Sequence, residues 1–375
     1  MPEFDLISCR TALSDTVARM LARGAKAELV DFVDPSAFIG EEAIDARKLI
    51  DRARAETSTA RRSGQPNPLV LRNGIDGPGC KWWLDLRKSA IALHPLYEAG
   101  RWQLMGDGVT MDDISRPFPW GATPARELSA LVGDDAAHRA IAKYEAFLNV
   151  PVADAPLTFM RGCLDAAAIR SRAAAAAFLV GERLERWSDE PVRMASLACG
   201  AAKPIARMAA EIAERGLAVE RLTLLDRDPL ALAAGRAVAE ASAPDVRVEV
   251  VLSDLLVIAE MRAIDLLSVL GGQRQDVVEM LGLFEYLPDL LAIDLLRRAG
   301  AALRENGLIV FANMLTPRPE QDVFSDVIQW PAVIQRSMDE VLDLVEAAGY
   351  PPHSVSIIVP EGELIYQIVL IDTSV

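Results

Sequence analysis

The chain's rhythm changes near residue 190. Beyond it, short apolar runs alternate with stretches whose apolar residues recur every three or four positions, the marks of strands and amphipathic helices. The pattern predicts strands over 192–198, 222–225, 246–252, 276–282 and 308–312. Between and after them it predicts helices over 204–215, 229–241, 289–303 and 338–348. Pro204 falls in a first helical turn, where its missing N–H costs little, while Asn306-Gly307 and Gly349 supply helix stops. Two last strands, 355–359 and 364–371, flank Pro360-Glu361-Gly362-Glu363 as a hairpin. Strand–helix alternation implies an α/β fold with a doubly wound, mostly parallel sheet, and the hairpin gives it an antiparallel edge.

Residues 1–150 lack that rhythm. Helical patterns over 41–56, 82–97 and 126–147 are separated by turn-rich stretches such as "RRSGQPNPLVLRNGIDGPG". This predicts a mostly helical accessory domain over 1–150, serving as a lid or substrate-recognition region, joined near 150–156 to a sheet domain over 151–375. One more helix, 159–187, leads into the sheet. Its residues Ile169, Ala173, Ala176, Val180, Leu184 and Trp187 form a single apolar stripe.

Composition narrows the partners. In 375 residues, a hydrophobic fraction of 51% supplies a sizeable core, and a net charge of −15 with pI near 4.8 repels nucleic-acid phosphates. Arg61-Arg62 is too short to form a basic patch. The longest apolar run, 173–180, falls far short of the ~18 residues that span a bilayer. The first residues, MPEFDLISCR, carry no basic segment followed by an apolar one. Cys9, Cys80, Cys163 and Cys199 make no CxxC pair, and His94, His138 and His353 are scattered, so neither a disulfide framework nor a metal site is expected. These features describe a soluble cytoplasmic protein with a small-molecule substrate, no nucleic-acid partner and no membrane span. The N-terminal helices are free to cover a substrate or to pair two chains, which is compatible with a homodimer.

The chemistry gathers at strand ends. "MASLACGAAKP", residues 194–204, reads as a strand, a glycine turn and a helix, and in a doubly wound sheet ligands sit beyond such carboxyl ends. Gly200 lets the backbone approach a ligand closely, but the other glycines of a pyrophosphate cradle are missing. The turn therefore suits an adenosine-type ligand without phosphates. Asp226 stands at the tip of the second strand, placed to accept ribose hydroxyls, whereas Asp228 before Pro229 fits helix capping. Ser253-Asp254-Leu255 ends the third strand, offering a carboxylate to an adenine amino group and an apolar side chain to the base.

Taken in order, "SLACGAAKP", "LLDRDPLAL", "VVLSD", "DVVEMLGLFEYLPD" and "ENGLIVFANM" resemble class I S-adenosylmethionine-dependent methyltransferases over residues 158–372. The resemblance implies a Rossmann-like, seven-stranded sheet with its sixth and seventh strands as a hairpin, and S-adenosylmethionine as cofactor. It implies the first loop, with Cys199 and Gly200, at the methionine end, Asp226 at the ribose and Asp254 at the adenine, and Ser196, Ala198, Arg227, Ser253 and Leu255 are further cofactor-binding candidates. The chain departs from the family at Ser196, near where many members carry an acid, and at Ala198 and Ala202, where they carry glycine. Backbone carbonyls of Ala198 and Gly282, the latter followed by Leu283, are placed for the methionine ammonium. Arg161 and Arg172 of the lead-in helix, where Arg170 also lies, are candidates for its carboxylate, since arginine pairs with a carboxylate in a fork.

Beyond the fourth strand, Glu285 and Tyr286 are the catalytic candidates, as base or cation ligand and as wall or proton donor. Met314, Phe324 and Trp330 are candidates for an apolar pocket wall. The expected reaction is methyl transfer to a small-molecule hydroxyl, carboxyl or amine, giving S-adenosylhomocysteine. The alternative is attack on the aminocarboxypropyl side of the sulfonium, by group transfer or ring closure, releasing methylthioadenosine. A NAD-type dehydrogenase is disfavoured by the missing glycines, and a silent binding protein is the remaining reading.

Overall fold

In the computed structural model, residues 6–30, 164–185, 190–255, 265–319, 321 and 333–374 are described. The chain divides into two compact units, one made of Met1–Asp34, Ala168–Pro319 and Val333–Val375, the other of Pro35–Ala167 and Glu320–Ala332. The helices predicted over 41–56, 82–97 and 126–147, and residues Arg161, Phe324 and Trp330, lie outside the described residues.

The first unit is built on an eight-stranded sheet. Its described helices are α1 (Leu6–Ala22), α2 (Leu164–Leu184, in this unit from Ala168), α3 (Lys203–Glu214), α4 (Pro229–Ser242), the short α5 (Leu266–Val269), α6 (Asp289–Ala301) and α7 (Met338–Ala348). Its strands are β1 (Lys26–Val30), β2 (Val192–Leu197), β3 (Val219–Asp226), β4 (Arg247–Leu252), β5 (Gln275–Met280), β6 (Leu303–Met314), β7 (Val355–Pro360) and β8 (Tyr366–Asp372). They lie in the order β1-β7-β8-β6-β5-β2-β3-β4. All neighbours are parallel except β8, which runs against both β6 and β7.

The hairpin of β7 and β8 forms as predicted but does not make the edge, and the sheet gains an eighth strand. β1 pairs with β7 from Lys26 opposite Ser356 to Val30 opposite Pro360, and Val30 accepts the Glu361 N–H at 2.8 Å. Residues 6–30 thus belong with the sheet. Asn306-Gly307, read as a helix stop, falls inside β6, where the register with β5 shifts.

Alternation along the strands sorts two faces. Ala195, Leu197, Val278, Met280, Ile309 and Phe311 join one apolar cluster with residues of α1, α5, α6 and α7. The alternate positions, Met194, Ser196, Val277 and Glu279, fall on the other face, where α3 packs its buried Ile205, Met208 and Ile212. α7 begins with a capping box, Ser337 and Glu340 exchanging hydrogen bonds with each other's backbone N–H. α1 is tied to α7 by Arg19 to Asp339 at 2.9 Å, and by Arg23 to Asp343 at 2.6 Å and Glu346 at 2.8 Å. Among the described residues, no helix is long and apolar enough to cross a membrane, and no group of three His, Cys, Asp or Glu is placed to hold a metal ion.

Candidate functional site

From β2 the chain steps outward through β3 and β4, then crosses back to β5 and on to β6. The order therefore reverses between β2 and β5, and a crevice opens beyond the carboxyl ends of strands at such a point. Ser196 and Glu279 face each other across that boundary.

The loop after β2 turns on three left-handed residues, Ala198 (φ 55°), Gly200 (φ 51°) and Ala202 (φ 53°). The Cys199 N–H donates to Leu225 O of β3 at 3.0 Å, and the Ala202 N–H closes the loop on Cys199 O at 2.8 Å. Among the described residues, no atom lies within 4 Å of where a Cβ on Gly200 would project. Ala202 ends the loop as the N-cap of α3, with no side-chain cap, and Pro204 follows in the first turn as expected.

Asp226 is the last residue of β3, as the sequence predicts. Its Oδ2 accepts the Gly200 N–H at 2.9 Å and its Oδ1 the Asp228 N–H at 3.0 Å. One carboxylate thus fixes both the glycine turn and the start of the next loop. Burial pushes its carboxyl above the usual carboxylate range, while those N–H bonds pull the other way. A carboxylate has about four acceptor positions, so both oxygens retain capacity for further donors.

The remaining predicted residues spread around this tip. Arg227 is exposed and 3.9 Å from Asp254, which follows the end of β4. The Ser253 N–H donates to Asp226 O at 3.0 Å, which draws the β4 end towards the β3 tip. Leu255 is buried in the apolar cluster. Cys199 is buried, and burial, then Asp226 and Glu279, push its thiol far up. Met314 belongs to the core.

The far side of the crevice is buried and charged. Phe284-Glu285-Tyr286 forms one 3₁₀ turn after β5. Glu285 is only 3% exposed, with Oε1 3.5 Å from Nη1 of Arg172. Its Oε2 and the Arg172 Nε are buried and have no hydrogen-bond partner among the described residues. The Arg172 guanidinium lies over the Tyr366 ring, 4.4 Å from its centroid. A Cβ on Gly282 would sit 3.7 Å from Arg172 Nη2, which places the turn after β5 beside this cation. Tyr286 is 39% exposed. Burial pushes the Glu285 carboxyl up, with the Arg172 charge opposing.

Sequence reasoning missed Arg336, Asn313 and Glu279. Arg336 is buried and holds the 3₁₀ turn in place: Nη1 donates to Phe284 O at 3.0 Å and Asn313 Oδ1 at 2.8 Å, Nη2 to Leu287 O at 2.6 Å, and Nε to Asp289 Oδ1 at 3.1 Å. The Ile334 N–H donates to Glu285 O at 2.7 Å, so the backbone of Glu285 itself is tied down. A charged residue within the apolar run "DVVEML" was the one signal for Glu279.

The strand order carries the fold: it is Rossmann-like. No protein-family model matches the chain, and no curated protein matches it. Solved structures do resemble it. A possible exported protein from Bordetella parapertussis is 17% identical, with 91% of this chain and 99% of that one covered and a TM-score of 0.49. The CMeT domain of the citrinin polyketide synthase is 13% identical, covering 98% of this chain and 97% of that one at a TM-score of 0.47. The S-adenosylmethionine-dependent methyltransferase SibL is 15% identical, covering 88% and 96% at a TM-score of 0.42.

Proposed function

We propose that the chain is an S-adenosylmethionine-dependent methyltransferase acting on a small molecule. The observation that carries this reading is the joining of Asp226 to the Gly200 turn at the reversal of strand order. A strand-tip acid suits a ribose, and a turn with one glycine suits a nucleoside without phosphates, since a pyrophosphate cradle needs a freer backbone. The residues present fit the cofactor. Asp226 has acceptor capacity for ribose hydroxyls, Asp254 and Ser253 stand at the next strand tip for the base, and Arg172 keeps a buried donor without a partner for a carboxylate.

When bound, the cofactor supplies an activated methyl group for in-line displacement. The protein contributes placement, bringing the acceptor atom to ~3–3.5 Å from that carbon and keeping water out. Glu285 and Tyr286 are proposed to flank the acceptor. Glu285, raised by burial and lacking a partner at Oε2, is suited to take a proton from a hydroxyl or amine, or to bind a cationic acceptor. Arg336 acts through them by fixing the turn that carries both.

Product analysis tests the reaction. The full chain is incubated with methyl-labelled S-adenosylmethionine and a panel of small hydroxy acids, phenols and amines, and every product is weighed. Methylated acceptor with S-adenosylhomocysteine is expected; methylthioadenosine as the nucleoside product would move the assignment to aminocarboxypropyl transfer or cyclisation.

A further inference from the structure

Glu279 stands where strand order reverses, at the heart of the sheet, and is 4% exposed. A carboxylate there is costly unless hydrogen-bonded and paired with a cation. Its Oε2 accepts the Ser196 hydroxyl from the facing position of β2, and its Oε1 accepts the Leu281 N–H at 2.6 Å. Both partners are neutral, and about half of its acceptor capacity is unused. It faces Ser196, two residues before Ala198, where the turn that Asp226 fixes begins.

The charges around it do not balance. Arg172 acts on both Glu279 and Glu285, and among the described residues it makes its ion pair with Glu285 alone. Arg336 also acts on Glu285, but its donors go to Asp289, Asn313 and backbone carbonyls. Among the described residues the two buried acids therefore share one ion pair, that of Glu285 with Arg172, and Glu285 Oε2 and Arg172 Nε have no hydrogen-bond partner. The group that completes this arrangement brings a positive charge with N–H donors and, beside it, an acceptor for Arg172.

We propose that Glu279, presented by Ser196, receives the ammonium of the cofactor's amino-acid end, so that the acid of this subsite is carried on β5 and β2 supplies only a hydroxyl. The assignment rests on the cofactor reading above and adds the residue that selects a ligand with an amino acid from a bare nucleoside. It also explains Ser196, whose hydroxyl holds the carboxylate in one orientation.

Calorimetric titration of the full chain with S-adenosylhomocysteine and with 5′-methylthioadenosine, which lacks the amino-acid end, tests it. Glu279→Gln is expected to weaken S-adenosylhomocysteine binding by roughly 10–100-fold, the worth of a charge-assisted hydrogen bond, while methylthioadenosine affinity changes less than about threefold. Ser196→Asp combined with Glu279→Ser returns an acid to β2 and is expected to recover most of the lost affinity. Equal losses for both ligands, no loss for either, or an exchange variant no better than Glu279→Gln would overturn the assignment. Failure of the unaltered protein to bind either nucleoside would overturn the cofactor reading itself and this assignment with it. Thermal unfolding of each variant confirms that the titrated protein is folded.

Discussion

Ala198, Gly200 and Ala202 hold the same left-handed backbone, and only one of them is glycine. An alanine there costs roughly 1–2 kcal/mol, and its Cβ in return narrows what the loop can do. Two buried acids of β5 and the turn after it are also held at a cost. Glu279 and Glu285 are raised by burial above the ordinary glutamate value of 4.5. A raised folded-state pKa means that the native protein binds more protons than the unfolded chain as pH climbs from the ordinary value to the raised one, so each group's contribution to stability falls across that window. Glu279→Gln removes one such group. Its stability relative to the unaltered, ligand-free protein should improve as pH rises above the ordinary glutamate value of 4.5, measured as urea unfolding free energies; a pH-independent difference would mean that Glu279 carries no raised pKa. Gly200 and Asp226 were legible in the sequence because a turn glycine and a strand-tip acid each have a local signature. Glu279 has none: its meaning depends on β5 lying beside β2, which follows from strand order and not from its neighbours in the chain.

Among the elements, the 3₁₀ turn after β5 is too short to hold itself. Arg336, in the connection between β6 and α7, supplies the bonds that its three residues lack. Arg336→Lys keeps the charge but loses the fork, and leaves carbonyls of Phe284 and Leu287 buried with fewer donors. The variant is expected to lose about 2–4 kcal/mol of stability. At a temperature where it stays folded, its kcat should fall more than about tenfold with cofactor affinity little changed, because the turn carrying Glu285 moves while Asp226 does not. A parallel loss of cofactor affinity would show that the turn supports the nucleoside as well. The strands and helices around this turn were readable from their periodicity. The arginine was not, since it lies in a segment without period and its partners come from β6, the 3₁₀ turn and the first residue of α6.

Over the full chain, the part of the fold that positions the crevice was written in alternation: parallel strands, crossover helices and the β7–β8 hairpin follow from local pattern. β1 escaped because five residues, "KAELV", give little periodicity and their partner β7 lies at the other end of the chain. Its helix α1 is held by Arg19 and Arg23 against acids of α7, contacts that no local pattern announces. In a doubly wound sheet ligands sit beyond the strand ends where the order reverses, here between β2 and β5, and a calorimetric comparison decides whether a phosphate-free nucleoside sits there. The full chain and Asp226→Ala are titrated with S-adenosylhomocysteine and with NADH. Binding of S-adenosylhomocysteine to the unaltered protein, weakened at least about tenfold by Asp226→Ala, with no heat from NADH, is the predicted result. Tight NADH binding without heat from S-adenosylhomocysteine, or an affinity indifferent to Asp226, would contradict it.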